Sequence, residues 1–107
     1  MQNNNDKGKH FSEQYPQIYR ALEVLETKCQ DGKHLDPKML LLIKLAVTAG
    51  LYFENTVKAH TAKALAMGIA EEQIEEAILS NLSTVGYPKT VSALNWVHAI
   101  TGKTPFS

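Results

Sequence analysis

Cysteine, arginine and long apolar runs are all scarce in this 107-residue sequence. The single cysteine, Cys29, excludes an intramolecular disulfide and an all-cysteine metal site, and it fits a reducing cytoplasm, where we expect the protein. The longest uninterrupted apolar run covers residues 39–43 and is far too short to cross a bilayer, so we expect no membrane association. Because residues 1–10 are almost wholly polar, we expect no signal peptide either.

A net charge is also lacking. Lys plus Arg and Asp plus Glu both number 11, and the sequence pI is about 6.9. This balance excludes the basic footprint that is typical of nucleic-acid-binding proteins. No group of His, Asp and Glu has the spacing of metal ligands, and no glycine-rich loop resembles a phosphate-binding motif. We therefore expect no nucleic-acid partner, no metal and no cofactor.

The sequence is typical of one helical domain that follows a polar segment. Residues 1–9 have almost nothing to bury and are expected to be disordered, whereas residues 10–107 form the predicted single domain. Apolar residues recur at three- and four-residue steps, and no segment alternates as a strand would, which predicts an all-α fold of about five helices. A domain of this size buries a limited share of its surface, so self-association is a natural way to add stability.

Capping residues and glycines predict where the helices begin and end. The first helix carries an apolar stripe from Tyr15 to Cys29 and is expected to stop near Gly32. The second begins at the N-cap Asp36 with Pro37 in its first turn, and it is apolar nearly all round, so we expect it at the centre of the fold. The third is expected to end at residue 68, the fourth to cover 71–83 and the fifth 88–102.

His60 is the strongest candidate for chemistry. On a helical wheel it shares the packing face of the third helix, with Thr56 four residues before it and Lys63 three residues after it. A partly buried imidazole is a good general acid or base near neutral pH, Thr56 can hold its tautomer and Lys63 can bind a carboxylate. The alternative is that His60 is a core or interface histidine with a satisfied hydrogen bond.

The remaining polar side chains have less specific patterns. His10 and His34 lie in polar segments, and His98 is expected at the edge of the core. Glu75 and Glu76 belong to the acidic first half of the fourth helix, which predicts a solvated face. Cys29 lacks a histidine at a diagnostic spacing and is expected to act as a small apolar residue.

Residues 35–78, "LDPKMLLLIKLAVTAGLYFENTVKAHTAKALAMGIAEEQIEEAI", resemble the carboxymuconolactone decarboxylase and alkylhydroperoxidase D family. The similar features are the LDPK-type helix entry, the apolar helix, the histidine with its downstream glycine, and the EEQIEEAI helix. The resemblance implies an alkylhydroperoxidase D-like helical bundle that assembles as a homotrimer or homohexamer, which agrees with the argument from size.

The resemblance also implies alternatives for function. The peroxidase branch of the family carries Cys-x-x-Cys-x-x-x-His, and the matching positions here are Phe53, Thr56 and His60, so only the histidine is kept. A peroxiredoxin-type activity is therefore the less favoured interpretation. The decarboxylase branch does not need the thiols, and its chemistry makes His60 a general acid/base for a small carboxylated lactone or related carbonyl acid, with Lys63 or Lys58 orienting the carboxylate. A non-catalytic oligomeric or small-molecule-binding member that lost the thiols is the alternative.

Overall fold

The computed structural model describes residues 10–107, and within them all regular secondary structure is helical, which confirms the predicted all-α class. The chain divides into two compact units, Met1–Pro37 and Lys38–Ser107. The predicted disordered segment 1–9 lies outside the described residues, and the single domain over residues 10–107 stays a prediction. Among the described residues, no helix has the length and apolar content needed to span a bilayer.

In the first unit, residues 10–14 are helical and lead into α1, Pro16–Gln30. Pro16 occupies the first turn of α1, where its missing N–H is not needed. The rings of Phe11 and Tyr15 lie 5.2 Å apart, and Phe11 also lies 6.3 Å from Tyr19. No residue of α1 is buried, and Cys29 near its end is exposed. The helical periodicity of the stripe was thus a correct signal, although its side chains remain accessible.

The second unit contains the remaining helices. They are α2 (Pro37–Gly50, whose first residue ends the first unit), α3 (Glu54–Ala66), α4 (Glu71–Leu79), the short α5 (Leu82–Val85) and α6 (Tyr87–Thr101). α6 packs against α3, α4 and α5 and is the helix around which the others gather. It buries residues on several sides: Thr90, Ala93, Leu94, Val97 and His98.

The apolar core combines one stripe from each long helix of this unit with Ile69, which lies between α3 and α4. Its members are Leu41, Leu45, Ala49, Val57, Ala64, Ile69, Ile74, Ile78, Ala93, Leu94 and Val97. Fully burying one Val, Leu or Ile side chain contributes about 1.5–3 kcal/mol, so this cluster is the main stabilising term of the unit. Partly buried Leu42, Met67 and Trp96 cover its edges.

The position of α2 differs from the sequence-based expectation. It buries Leu41, Leu45 and Ala49 but leaves Met39, Ile43 and Val47 exposed at 47%, 45% and 53%. These exposed residues repeat every four positions and form one apolar face of α2, which we call the outer face. Apolar residues all round a helix predict burial on every side, but the pattern does not specify which residues pack against each side.

The predicted fourth helix is too long, because the chain breaks after Leu79 and α5 is a separate turn. Asn81 explains the break. Its side-chain amide donates to the carbonyl oxygen of Ala46 on α2 at 2.7 Å, which redirects the chain toward α2. Gly68 and Gly102 have φ values of +83° and +85°, as expected for glycines that follow helices, and Gly102 N–H donates to His98 O at 2.8 Å.

Two neighbouring residues of α4 test this burial pattern. Ile78 is fully buried, whereas the next residue, Leu79, is 49% exposed. We expect Ile78→Ala to lower the free energy of unfolding by about 2–5 kcal/mol, since it leaves a cavity in the core. Leu79→Ala should lower it by less than about 1 kcal/mol. Urea denaturation followed by circular dichroism measures both, and similar losses in the two variants would contradict the core assignment.

Candidate functional site

Thr56, His60 and Lys63 lie along one flank of α3, as the helical wheel predicts. The side of α3 that enters the core carries Val57, Thr61 and Ala64, and the Thr61 hydroxyl is satisfied by the Val57 carbonyl at 2.7 Å. Thr56 and His60 are half-buried at the edge of this side, and Lys63 is exposed. His60 takes part in an interaction within the structure. The imidazole therefore occupies a border between core and solvent, which suits proton exchange with a bound molecule.

The other sides of α3 carry exposed alanines and an ion pair. Ala59, Ala62 and Ala66 are exposed and form a small-residue face that is accessible to another helix. Lys58, the alternative cation beside His60, is bound to Glu54 at 2.7 Å in an i,i+4 ion pair. Lys63 is thus the cation of this flank that the geometry favours.

The turn that leads into α3 is held in an unusual conformation. Tyr52 has φ = +66°, a left-handed value that costs a non-glycine residue on the order of 1 kcal/mol. Its ring packs against Trp96 at 5.0 Å between centroids, and its hydroxyl lies 3.3 Å from Ser92 Oγ. These contacts with α6 fix the point where Phe53 and α3 begin. Phe53, which matches a cysteine of the family's peroxidase branch, is the N-cap residue of α3 and is 51% exposed.

A second polar cluster joins α4 and α6, and sequence reasoning missed it. His98 is only 4% exposed, and its Nε2 lies 2.8 Å from Glu75 Oε2. Glu75 was expected on a solvated face, but its side chain is 20% exposed and bound to this imidazole. The two residues are 23 positions apart, so no local spacing announces the pair. In the sequence Glu75 directly follows Ile74 of the core stripe, and this adjacency is the available signal that Glu75 could be partly buried.

The contact with Glu75 determines the hydrogen-bonding state of His98. A carboxylate only accepts hydrogen bonds, so His98 Nε2 must carry the proton that it donates to Glu75. His98 Nδ1 is buried and makes no hydrogen bond within the structure. In the neutral ring Nδ1 then has a lone pair rather than a hydrogen, and this lone pair remains as an acceptor.

Lys103 extends this cluster beyond α6. Its ammonium binds the Glu71 carboxylate and lies 3.7 Å from Glu75 Oε1. The hydrogen bond from Lys103, with a smaller effect of the nearby Thr101 hydroxyl, lowers the pKa of Glu71 below its ordinary value of 4.5. The hydrogen bond to Glu71 raises the pKa of Lys103 in turn. The Thr101 hydroxyl is buried and makes no hydrogen bond in the structure, so Lys103 is the main partner of Glu71.

Elsewhere in residues 10–107 the chemistry-bearing groups do not converge. No set of three or more His, Cys, Asp and Glu side chains in this range has the arrangement of a metal site. Cys29 belongs to the first unit and is exposed. Thr56, His60 and Lys63 therefore remain the predicted catalytic residues, and Glu75 with His98 is an additional pair.

The Glu71–Lys103 contact predicts a dependence of stability on acid pH. Because the pKa of Glu71 is lowered in the folded state, the Glu71–Lys103 contact adds to the free energy of unfolding above pH 4.5. This contribution is lost as the pH falls through the folded-state pKa. We expect Lys103→Met to return the pKa of Glu71 toward 4.5. The control Lys89→Met removes the same charge from an exposed lysine of α6 and should leave the pKa of Glu71 unchanged. Carbon-detected NMR titration of the Glu71 carboxyl measures this, and equal pKa values in the two variants would refute the contact.

Comparison with known proteins agrees with the helical architecture. A model of the carboxymuconolactone decarboxylase family matches residues 16–99. An uncharacterized protein of Methanocaldococcus jannaschii, MJ1511, is 33% identical over 87 residues, which cover 81% of each chain. No solved structure matches the chain significantly.

The family match covers α1 through nearly all of α6 and includes both the flank of His60 and the Glu75–His98 pair. The chain therefore belongs to the carboxymuconolactone decarboxylase family.

Proposed function

We propose that the protein is a lyase that decarboxylates a small carboxylated lactone or a related carbonyl acid, with His60 as general acid/base. The observation that carries the proposal is the place of His60, which is half-buried on the flank of α3 between Thr56 and Lys63. Family membership supports a site on this helix. The single thiol of the chain is consistent with a reducing cytoplasm, which is where we propose that the protein acts.

The reaction needs an electron sink and a proton donor. When the carbon–carbon bond to the carboxylate breaks, carbon dioxide leaves and the bonding electron pair delocalises into the lactone carbonyl as an enolate. The His60 imidazolium then donates its proton to carbon, and the neutral ring takes up a proton from water. Lys63 orients the carboxylate before the bond breaks, and its positive charge stabilises the enolate that follows.

Thr56 has a positioning role in this scheme. It lies one helical turn before His60, close enough for its hydroxyl to fix the tautomer and ring orientation. In the family's peroxidase branch this position belongs to a cysteine, and a threonine keeps hydrogen bonding while losing the nucleophile. Peroxide reduction through Cys29 is disfavoured, since that thiol has no resolving partner in the sequence.

A non-catalytic role in binding or assembly is the second candidate. The outer face of α2 favours it, because Met39, Ile43 and Val47 expose an apolar surface that a solvated helix would not normally keep. We propose that this face is buried between copies of the chain in a homotrimer or homohexamer. Assembly is compatible with either function, so the two candidates differ in turnover and not in oligomeric state.

Replacing His60 by Gln tests the catalytic proposal. Gln keeps the size and hydrogen bonding of the side chain but cannot transfer a proton, so we expect kcat for decarboxylation to fall about 10²–10⁴-fold with little change in KM. His34→Gln, in an exposed segment of the first unit, is the matched control and should keep full activity.

The measurement is carbon dioxide release from a panel of carboxylated lactones and carbonyl acids. Full activity of the His60→Gln variant would remove His60 from the mechanism. If the unsubstituted protein releases carbon dioxide from none of them, while NMR shows that it still binds them, the binding role replaces the lyase.

A charge on the outer face tests the assembly proposal. We expect Ile43→Glu to convert a trimer or hexamer into monomers, because burying an unpaired carboxylate in an apolar interface is strongly unfavourable. Sedimentation equilibrium gives the mass, and Lys89→Glu on α6 serves as a charge-change control that should assemble normally. An unsubstituted protein that is monomeric throughout the micromolar range would contradict the interface.

A further inference from the structure

The segment that follows α6, residues 103–107, lies back against the second unit, and we call it the strap. Asn95 on α6 holds its far end by two hydrogen bonds. The Asn95 side-chain amide donates to Phe106 O at 3.1 Å, and Phe106 N–H donates to Asn95 Oδ1 at 2.7 Å. Lys103 holds the near end through Glu71 and Glu75. The strap is thus attached to both α4 and α6.

The strap contacts both residues of the Glu75–His98 pair, Glu75 through Lys103 and His98 through Phe106. The Phe106 ring lies 5.2 Å from the His98 ring between centroids, with 45° between their planes. With the strap in place His98 is almost inaccessible, and its Nδ1 is buried without a hydrogen bond in the structure. Leaving such an acceptor unsatisfied is unfavourable, and buried polar atoms of this kind are rare enough to require an explanation.

The attachments of the strap are themselves close to solvent. Phe106 is 54% exposed, and the Lys103 side chain is 50% exposed. Both hydrogen bonds to Asn95 are exposed as well. Ion pairs and hydrogen bonds in water contribute little net stability, so such a segment opens locally at much lower free energy than the core unfolds.

We propose that the strap gates a second site, in which Glu75 orients His98 and the open form offers His98 Nδ1 to a small hydrogen-bond donor such as water or an alcohol. A carboxylate that holds one imidazole nitrogen while the other faces a ligand is the arrangement that general bases use. Closure excludes solvent from the ring, and opening admits the donor. This site is on α4 and α6 and is independent of the function assigned to His60.

Charged groups on both sides of the site determine how firmly the strap closes. α4 contributes Glu71, Glu72 and Glu75, the strap contributes Lys103, and α6 contributes His98 itself. Lys103 and the α4 carboxylates attract each other at the protein surface, where added salt weakens the attraction. At 0.1 M salt the screening length is about 10 Å. Salt should therefore favour the open form at constant pH.

Diethyl pyrocarbonate, which acylates neutral imidazole nitrogens, reports access to His98 in the full chain. We expect His98 to react at least about tenfold more slowly than the exposed His34, with the ethoxycarbonyl group on Nδ1 because Nε2 is bound to Glu75. Mass spectrometry of His98-containing peptides gives the rate, and proton–nitrogen correlation NMR identifies the nitrogen.

Three variants separate gating from unfolding. Asn95→Ala and Lys103→Met should each raise the His98 rate, by about fivefold or more for Asn95→Ala, which removes two hydrogen bonds. Lys89→Met, an exposed lysine of α6, should leave the rate unchanged. Hydrogen exchange at the Phe106 amide reports strap opening directly, and circular dichroism checks that each variant stays folded.

Faster exchange at Phe106 together with faster acylation of His98, in a folded variant, supports the gate. Faster exchange at Phe106 with an unchanged His98 rate would overturn it, because the strap would then open without admitting a ligand. Acylation on Nε2, or a His98 rate equal to that of His34 in the unsubstituted protein, would overturn it too.

Discussion

The packing of α6 against α3 and α4 is the interaction on which the rest of the second unit depends. Val97 and Leu94 meet Ile74 and Ile78 in a dry core, and this burial fixes the rotation of α6 about its axis. Once that rotation is fixed, Trp96 must lie against the α2–α3 turn and His98 must lie against α4. The polar contacts of the unit are therefore consequences of apolar packing, and each of them is formed because the helices that carry it are already in place.

The two histidines of this unit illustrate different uses of burial. His60 lies at the border of the core, where an imidazole can exchange protons with solvent and still be shielded on one side. His98 lies inside, and its Nε2 is held by a carboxylate. The position of His60 follows from local helical spacing, whereas the position of His98 depends on a carboxylate 23 residues away. Residue type does not distinguish the roles of His60 and His98, because the two side chains are chemically identical and only their surroundings differ.

Local signals in the sequence were sufficient for the helices and insufficient for what connects them. Three- and four-residue periodicity, Pro37, Gly68 and Gly102 located the helices closely, since each acts within one or two turns. The break after Leu79 required knowledge that Asn81 reaches Ala46, 35 residues away. The Glu75–His98 pair could not be predicted for the same reason, because its two residues are 23 positions apart in the chain. Thr56, His60 and Lys63 could be placed on one flank from spacing, but spacing does not specify what they bind.

The conformation of Tyr52 has a consequence for motion. Glycine would adopt a φ of +66° without strain, whereas Tyr52 at this turn needs contacts with other residues to hold the same value. That support comes from Trp96 and Ser92 on α6, one helical turn apart. The start of α3 is therefore mechanically linked to α6. Because core packing fixes α6, this support persists and restrains motion at the start of the helix that carries His60.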